Sequence, residues 1–323
     1  MIQAAAVVRW NFKNRRKSLR PINIEEEILV TKRKSGTTIL PQADTIAENR
    51  EPQDRWLEIN GLKIHYLEWG TNDKPAMVLL HGFLGHGHAW DDFAHAFSRD
   101  YHILAVDQRG HGLSGWAKGG TYGLEDHFSD LSWIIDLLEL DNIILIGHSM
   151  GGRNALFFTA CLPEKVGRLI IIDSRPAASQ RSIQALMSWL GTEGPKTGTF
   201  DSLVTRISSA FPNLTRQTCR LIVANGYQEV SDRAFMPRYD LQMRQDVADG
   251  GFEVEDLRPY LAGISCPVLV VRGANSPVLS LGAAQEMCRL FPDAKVAEIP
   301  SASHLPVQEN PPAINHAVKS FLT

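Results

Sequence analysis

The sequence predicts an α/β protein, in which short buried strands alternate with helices along the chain. The first observation is a set of strand-like runs of four to six residues, most of them wholly apolar, at 77–80, 103–106, 143–146, 169–172, 268–271 and 294–299. The second is that one run leads through a glycine-flanked serine into a helical stretch, Asn154 to Phe158. The third is composition: with 323 residues and 44% apolar side chains, the chain can bury a large core.

The serine of this strand, turn and helix is the candidate nucleophile. Gly147 and Gly151 flank Ser149 in the segment Gly-His-Ser-Met-Gly, and a turn this sharp has no room for side chains at the flanking positions. The turn lifts the serine hydroxyl above the sheet and points a helix N-terminus at it, which favours a developing negative charge. The segment therefore predicts a nucleophile elbow with Ser149 at its tip.

The loop after the run at 77–80 supplies the second half of an anion-binding arrangement. It reads His81-Gly82-Phe83-Leu84-Gly85, and its two glycines let the backbone come close to the serine. Attack on an acyl carbonyl places negative charge on the oxygen, which two preorganised backbone N–H groups stabilise. We expect these donors to be the N–H groups of Phe83 and of Met150, the residue after the nucleophile.

A polar turn after the run at 103–106 is interpreted as scaffold. It contains Asp107, Arg109 and His111, whose chemistry would also suit catalysis. Charged groups in a glycine-rich turn more often hold neighbouring loops together. We therefore predict structural roles for all three.

These motifs, in this order, resemble the α/β-hydrolase superfamily from about Trp56 to the C-terminus. The resemblance implies a mostly parallel eight-stranded sheet flanked by helices, with a helical cap inserted. It also implies that His304, on the loop after the run at 294–299, is the general base toward Ser149. The family usually has glycine before this histidine, whereas this chain has Ser303.

The acid of the expected catalytic triad departs from the common family pattern. Most members carry it shortly after the strand that corresponds to 268–271, but here that loop has no carboxylate, and Ser276 stands in its place. Glu286 lies too far along the next helix. Asp173, at the end of the run at 169–172, falls at the carboxyl edge of the sheet, where catalytic groups gather. The alternative for Asp173 is a loop-capping carboxylate.

A second, narrower resemblance supports Asp173. The segment Asn275-Ser276-Pro277 is similar to YbfF-type esterases and their mitochondrial relatives. In that group the acid follows the sixth strand, and the serine adds a supporting hydrogen bond. The resemblance therefore implies a site made of Ser149, His304 and Asp173, with Ser276 in support.

The activity predicted from these residues is hydrolysis of carboxylic esters with small to medium acyl chains, through an acyl-enzyme on Ser149. Three alternatives use the same triad: a MenH-type lyase, a lactonase and a carbon–carbon bond hydrolase. A fourth is a catalytically slow hydrolase relative that senses a ligand. Arg153, which follows the nucleophile motif, is a candidate substrate-binding residue because MenH-type lyases act on anionic substrates.

The chain is expected to comprise a tail and one hydrolase domain. Residues 1–54 are predicted to be an N-terminal extension and linker, and residues 55–323 the domain, with 174–256 as the cap. Helices are expected in the cap at 179–190, 200–210, 214–225 and 239–247. Its apolar side chains suggest a hydrophobic pocket, although they also suit the core of the cap itself: Leu186, Met187, Trp189, Phe211, Phe235 and Met236.

Charge and cysteine usage limit the partners. The formal net charge is −3, which gives no reason to expect nucleic acid. Residues 1–50 hold 10 Lys or Arg against 5 Asp or Glu, a net +5 that leaves −8 for the rest. We interpret this basic segment as a solvated tail, with an organelle-targeting peptide or an anionic-membrane contact as alternatives. We expect no segment that spans a membrane.

The remaining expectations concern the chain as a whole. The four cysteines, Cys161, Cys219, Cys266 and Cys288, lack metal-binding spacing and are expected to be reduced core residues of a cytoplasmic protein. We expect a small-molecule ester substrate, no metal and no cofactor. The oligomeric state stays open.

Overall fold

The protein is built on an eight-stranded sheet. A computed structural model describes residues 51–177, 198–231, 234–248 and 255–323. The strands of the sheet are β1 (Gln53–Ile59), β2 (Leu62–Trp69), β3 (Ala76–Leu80), β4 (His102–Val106), β5 (Ile143–His148), β6 (Val166–Ile172), β9 (Val268–Gly273) and β10 (Ala294–Ile299). They lie in the order β1-β2-β4-β3-β5-β6-β9-β10.

Seven of the eight strands run in the same direction, which brings their carboxyl ends to one edge of the sheet. Strand β2 pairs antiparallel with β1 and β4, whereas all other neighbours are parallel. The loops that follow β3, β5, β6, β9 and β10 therefore meet along this edge, where ligands bind in open α/β sheets. The predicted fold class is confirmed.

Helices cover both faces of the sheet. They are α1 (Asp91–Phe97), α2 (Leu124–Leu137), α3 (Met150–Cys161), α7 (Leu281–Cys288), α8 (Pro306–Glu309) and α9 (Pro311–Leu322). Because side chains alternate along a strand, Val78 and Leu80 enter the core on one face of β3 and Met77 and Leu79 the core on the other. Burial on both faces explains why the parallel strands are continuous apolar runs.

The segment between β6 and β9 differs in part from the prediction. Helices α4 (Phe200–Ala210), α5 (Arg216–Gly226) and α6 (Leu241–Ala248) occur close to three of the predicted positions, and the fourth, 179–190, lies outside the described residues. The sequence analysis predicted no strand in this segment, but β7 (Tyr227–Ser231) and β8 (Ala234–Pro237) pair as an antiparallel hairpin. The side chains of 228–231 are exposed, so their sequence carries no apolar periodicity that would indicate a strand.

The inserted segment has a small core of its own. Helices α4 and α5 bury Leu203, Val204, Leu214, Cys219 and Val223, and side chains from elsewhere pack against this cluster. These include Phe211 and Phe235, as well as Leu305 from the loop after β10. The two phenylalanines thus contribute to the core of the segment. Met236 is half-buried, and Leu186, Met187 and Trp189 lie outside the described residues.

The cysteines, membrane-spanning helices and metal-binding groups can be compared with the sequence analysis over the described residues. All four cysteines lie within the described residues and none forms a disulfide; three are buried and Cys288 is half-buried. Within the described ranges, no helix is both long and apolar enough to cross a bilayer. No group of three His, Cys, Asp or Glu side chains among those residues is placed to hold a metal ion. Residues 1–50 lie outside the description, so their interpretation stays a prediction.

Candidate active site

Ser149 occupies a strained turn between β5 and α3. Its backbone has φ +51° and ψ −114°, a conformation that costs a residue with a side chain about 1–3 kcal/mol. A Cβ atom at Gly147 would lie 2.2 Å from the carbonyl oxygen of Gly151, and one at Gly151 would lie 2.3 Å from that of Leu80. Both glycines are therefore required by close backbone contacts, and Ser149 stands at the tip of the turn.

The loops after β6 and β10 bring a histidine and an aspartate to this serine. His304 Nε2 lies 3.1 Å from Ser149 Oγ, and His304 Nδ1 lies 3.1 Å from Asp173 Oδ1. The Asp173 side chain is fully buried, whereas 24% of the His304 side chain is exposed. A buried carboxylate thus orients an accessible imidazole, the arrangement in which a histidine acts as a general base.

Three donors converge on the Asp173 carboxylate. Besides His304, Ser276 Oγ donates to Oδ1 at 2.6 Å, and the Gly273 N–H donates to Oδ2 at 2.9 Å. Ser276 Oγ itself accepts from the N–H groups of Val278, at 3.0 Å, and Leu279, at 3.1 Å. Since both amides can only donate, the hydroxyl proton is directed at Asp173. The Asp173 side chain therefore accepts three hydrogen bonds, one from each of these donors.

Rigid backbone pairing fixes the acid beside the nucleophile. The Ser149 N–H donates to the Ile172 carbonyl at 2.9 Å, and the Asp173 N–H donates to the Val271 carbonyl at 2.7 Å. Asp173 thus continues β6 between the strands β5 and β9. Its φ of +46° turns the chain away from the sheet directly after the carboxylate.

The loop after β3 lies against the nucleophile. A Cβ atom at Gly82 would lie 3.2 Å from Ser149 Cβ, so the loop passes close to the serine. The Gly85 N–H donates to the Gly82 carbonyl at 3.0 Å, which closes a turn with Phe83 in its middle. Met150 begins α3, and the first N–H groups of a helix lack intrahelical acceptors. The N–H groups of Phe83 and Met150 thus belong to the two backbone segments that border Ser149.

Two neutral imidazoles hold this loop. His81 Nε2 accepts from the Gln108 N–H at 3.0 Å, so its Nδ1–H donates to the Gly82 carbonyl at 2.8 Å. His111 Nε2 accepts from the Leu84 N–H at 3.2 Å, and its Nδ1 lies 2.9 Å from the Arg109 carbonyl. Burial lowers the pKa of His81 to about 3 and that of His111 to about 4. Each ring therefore stays neutral and keeps one acceptor nitrogen.

The turn after β4 has the structural contacts that the sequence indicated. The Asp107 carboxylate accepts from the N–H groups of Gly87 and Leu113, at 2.6 and 2.8 Å, and lies 2.7 Å from His65 Nδ1. Arg109 pairs with both oxygens of the Asp130 carboxylate at 2.7 Å. Together with His111, these residues tie the loops of the sheet edge to one another.

Arg153 has contacts that differ from those expected of a substrate-binding residue. Its guanidinium donates to the backbone carbonyls of Arg175 and Pro176, at 3.1 and 2.9 Å, and of Glu255, at 2.5 Å. Burial lowers its pKa to about 10. These carbonyls lie where the chain leaves β6 and where it returns toward β9. Arg153 thus joins the two ends of the inserted segment, and its role in substrate binding stays a prediction.

Two residues near His304 were not singled out from the sequence. His148 Nε2 lies 2.7 Å from the His304 carbonyl oxygen. The Glu309 carboxylate accepts from the N–H groups of Ser303 and Leu305. His148 stands inside the nucleophile motif, which was a usable signal. Glu309 is five positions beyond His304 in a helix of four residues, and nothing in its local sequence marks it.

The fold and the site together define a class of protein. The arrangement is a serine, a histidine and an aspartate on loops at the carboxyl edge of a mostly parallel sheet, with the serine on a strained turn before a helix. A family model described as the alpha/beta hydrolase fold matches residues 75–311. The chain belongs to the α/β-hydrolase family.

Individual relatives agree with this assignment. The chain is 28% identical over 268 residues to a 2-(acetamidomethylene)succinate hydrolase of Mesorhizobium japonicum, which covers 83% of this chain and 94% of that protein. It is 29% identical over 261 residues to a putative esterase/lipase of Haemophilus influenzae, covering 78% and 84%. A crystal structure of an E-2-(acetamidomethylene)succinate hydrolase superposes with a TM-score of 0.76 at 28% identity, covering 84% of this chain and 99% of that chain.

Proposed function

We propose that the protein is a serine hydrolase that cleaves carboxylic esters of small to medium acyl chains through an acyl-enzyme on Ser149. The observation that carries the proposal is the continuous chain of hydrogen-bond distances from Ser149 Oγ through His304 to Asp173, each step 3.1 Å. A serine hydroxyl is a weak nucleophile at neutral pH, and a base at this distance activates it.

Acylation would begin when His304 Nε2 takes the proton of Ser149 Oγ as the oxygen attacks the ester carbonyl. The buried negative charge of Asp173 stabilises the imidazolium and keeps the proton on Nδ1. The N–H groups of Phe83 and Met150 would stabilise the carbonyl oxygen as it becomes negative. His304 then returns the proton to the departing alcohol, which leaves the acyl group on Ser149.

Deacylation would use the same residues with water in place of the alcohol. His304 removes a proton from a water molecule as that water attacks the acyl carbonyl, and Ser149 is the leaving group. The exposed part of the His304 side chain gives water access to the base. The cycle releases one carboxylic acid and one alcohol and restores the starting protonation states.

The alternatives differ in how well the contacts support them. A MenH-type lyase needs a cation for its anionic substrate, and the Arg153 guanidinium already donates three hydrogen bonds to backbone carbonyls, which favours a structural role for it. A lactonase cleaves an internal ester with the same residues, and a carbon–carbon bond hydrolase also uses this triad. A slow ligand-sensing relative has no need of a complete triad. The resemblance to YbfF-type esterases and the cytoplasmic location both stay predictions.

A panel of p-nitrophenyl esters of graded acyl length tests the proposal. We expect the wild-type protein to turn over short and medium chains and Ser149→Ala to lose about 10⁶ in kcat. A fluorophosphonate should label Ser149 in the wild-type protein. Labelling of another serine with Ser149 untouched would refute the assignment of the nucleophile. Labelling of Ser149 without turnover of any ester would refute ester hydrolysis and favour another reaction of the same triad.

A further inference from the structure

The loop that carries His304 is anchored by a carboxylate that does not touch the imidazole ring. Glu309 Oε2 accepts from the Ser303 N–H at 2.6 Å and from the Leu305 N–H at 3.2 Å. Glu309 Oε1 accepts from the Ser303 hydroxyl at 2.7 Å. The amides on both sides of His304 therefore converge on one side chain.

The backbone carbonyl of His304 is bound by a histidine of the nucleophile motif. The His304 carbonyl oxygen accepts from His148 Nε2 at 2.7 Å. Burial lowers the pKa of His148 to about 3, so its ring is neutral near neutral pH and presents Nε2–H as a donor. His148 precedes Ser149 directly, so this bond links the backbone of the base to the backbone of the nucleophile.

The contacts at position 309 favour a carboxylate. Three donors face its two oxygens, and a carboxylate offers acceptors only. Glutamine has nearly the same shape, but it keeps its oxygen on the two amides only when its NH₂ group faces the Ser303 hydroxyl, which must then accept a hydrogen bond instead of donating one. Hydrogen bonds to a charged acceptor are also stronger than those between neutral groups.

The serine at position 303 now has a structural explanation. The Gly273 position shows how closely this loop packs, since a Cβ atom there would lie 1.9 Å from the Ser303 carbonyl oxygen. The Ser303 side chain points to Glu309 and adds a bond that glycine cannot make. The departure from the family pattern thus reinforces the same anchor.

From these contacts we propose that Glu309 is a positioning residue, which keeps His304 within reach of Ser149 by holding the amides on either side of it. The inference rests on the proposed function, because it assigns to His304 the role of base. Misplacement of a reacting group by about 1 Å costs on the order of 100-fold in rate. A loss of one or more of these bonds should therefore affect chemistry more than substrate binding.

The test is the rate at which a fluorophosphonate labels Ser149, since labelling needs the base but no ester substrate. We expect Glu309→Gln to slow labelling roughly 10- to 100-fold, and to lower kcat for p-nitrophenyl butyrate similarly with KM changed less than about twofold. Glu286→Gln, an exposed glutamate on α7, is the matched control and should change neither.

A double variant separates positioning from a general structural effect. If Glu309 acts through His304, Glu309→Gln should add no further loss in a His304→Ala background. An equal further loss there, or a wild-type labelling rate for Glu309→Gln, would overturn the proposal. Should Glu309→Gln fail to fold by circular dichroism, Ser303→Ala removes one bond only, and we expect about threefold to tenfold slower labelling, again absent in His304→Ala. Unchanged labelling by Ser303→Ala would then count against the proposal.

The two proposals fail in different ways. A wild-type protein that is labelled at Ser149 but cleaves no p-nitrophenyl ester would contradict ester hydrolysis, and the labelling rates of the Glu309 variants would still decide the anchor. A wild-type protein labelled at another serine would contradict both.

Discussion

Replacing Asp173 by asparagine tests the acid of the candidate triad most directly. The carboxylate accepts three hydrogen bonds, from His304, Ser276 and Gly273. An asparagine has one acceptor oxygen, so its NH₂ group must face a donor in either orientation. Facing Gly273, the NH₂ group meets an N–H only 2.9 Å away. Facing His304, it favours the imidazole tautomer with the proton on Nε2, which cannot accept a proton from Ser149.

The expected loss follows from these two orientations. A histidine held in the wrong tautomer costs on the order of 10⁴ in kcat, which corresponds to about 5.4 kcal/mol in the activation barrier. We expect this loss for Asp173→Asn in p-nitrophenyl butyrate hydrolysis, with KM nearly unchanged and the fold retained by circular dichroism. Turnover within tenfold of wild type would refute Asp173 as the acid and direct attention to another carboxylate.

Ser276→Ala is the matched comparison because it keeps the carboxylate. It removes a hydrogen bond to a charged group, worth about 1.5–3 kcal/mol, and leaves the Val278 and Leu279 amides without the hydroxyl that they contact. We therefore expect a clear decrease in the free energy of unfolding and roughly a tenfold loss of kcat. A loss of kcat as large as that of Asp173→Asn would contradict the supporting role.

Ser276→Asp is expected to be harmful in the wild-type protein and beneficial in the Asp173→Asn variant. In the wild-type protein the new carboxylate would lie near Asp173 Oδ1, which is 2.6 Å from the present hydroxyl, so like charges repel and stability falls. In Asp173→Asn it restores a carboxylate at the common family position. We expect partial recovery of kcat there, measured with the same ester, and no recovery would indicate that the β9 loop cannot reach His304.

Three further predictions concern stability and the site. Gly273→Ala should lower kcat by about 100-fold, because its Cβ would collide with the carbonyl of Ser303, the residue before His304, and wild-type turnover would contradict this. Arg153→Gln should lower the free energy of unfolding by about 1–3 kcal/mol while changing turnover of anionic and neutral esters equally; a selective loss with anionic esters would restore the substrate-binding role. Burial holds the pKa of His127 well below its usual value. Below about pH 6.5, therefore, this histidine is protonated in the unfolded chain but not in the folded protein. The free energy of unfolding should then fall by up to about 1.4 kcal/mol for each pH unit of acidification. Urea midpoints between pH 7 and 5 should therefore fall less steeply for His127→Leu, but not for the exposed His316→Gln.

Much of the fold was predictable because the parallel strands are buried on both faces. A strand such as β5, with every residue buried, needs a continuous apolar run, and such a run is visible in the sequence. The hairpin β7–β8 was not predictable in this way. Its pairing, rather than any apolar pattern, defines it, since residues 228–231 are exposed.

The site divides along similar lines. Ser149 was predictable because the turn itself demands glycines at fixed positions, and His304 because the chain order of the family places it. The contacts of Arg153 could not be predicted, because a sequence motif gives a side chain's position along a helix but not the carbonyls that a distant segment brings to it. Glu309 was missed for the same reason. Two of its three partners are backbone N–H groups, which have no sequence signature.

The contact of Leu305 with the core of the inserted segment links the packing of that segment to the loop that carries His304. Leu305 directly follows His304, the proposed base, and it packs against the cluster buried by α4 and α5. The free energy that holds the helix pair in place is therefore shared with the loop that carries the base. By thermodynamic reciprocity, any ligand that binds more tightly when the base is in register also binds more tightly when the helix pair is docked. Such a ligand would therefore also reduce the local opening of the inserted segment.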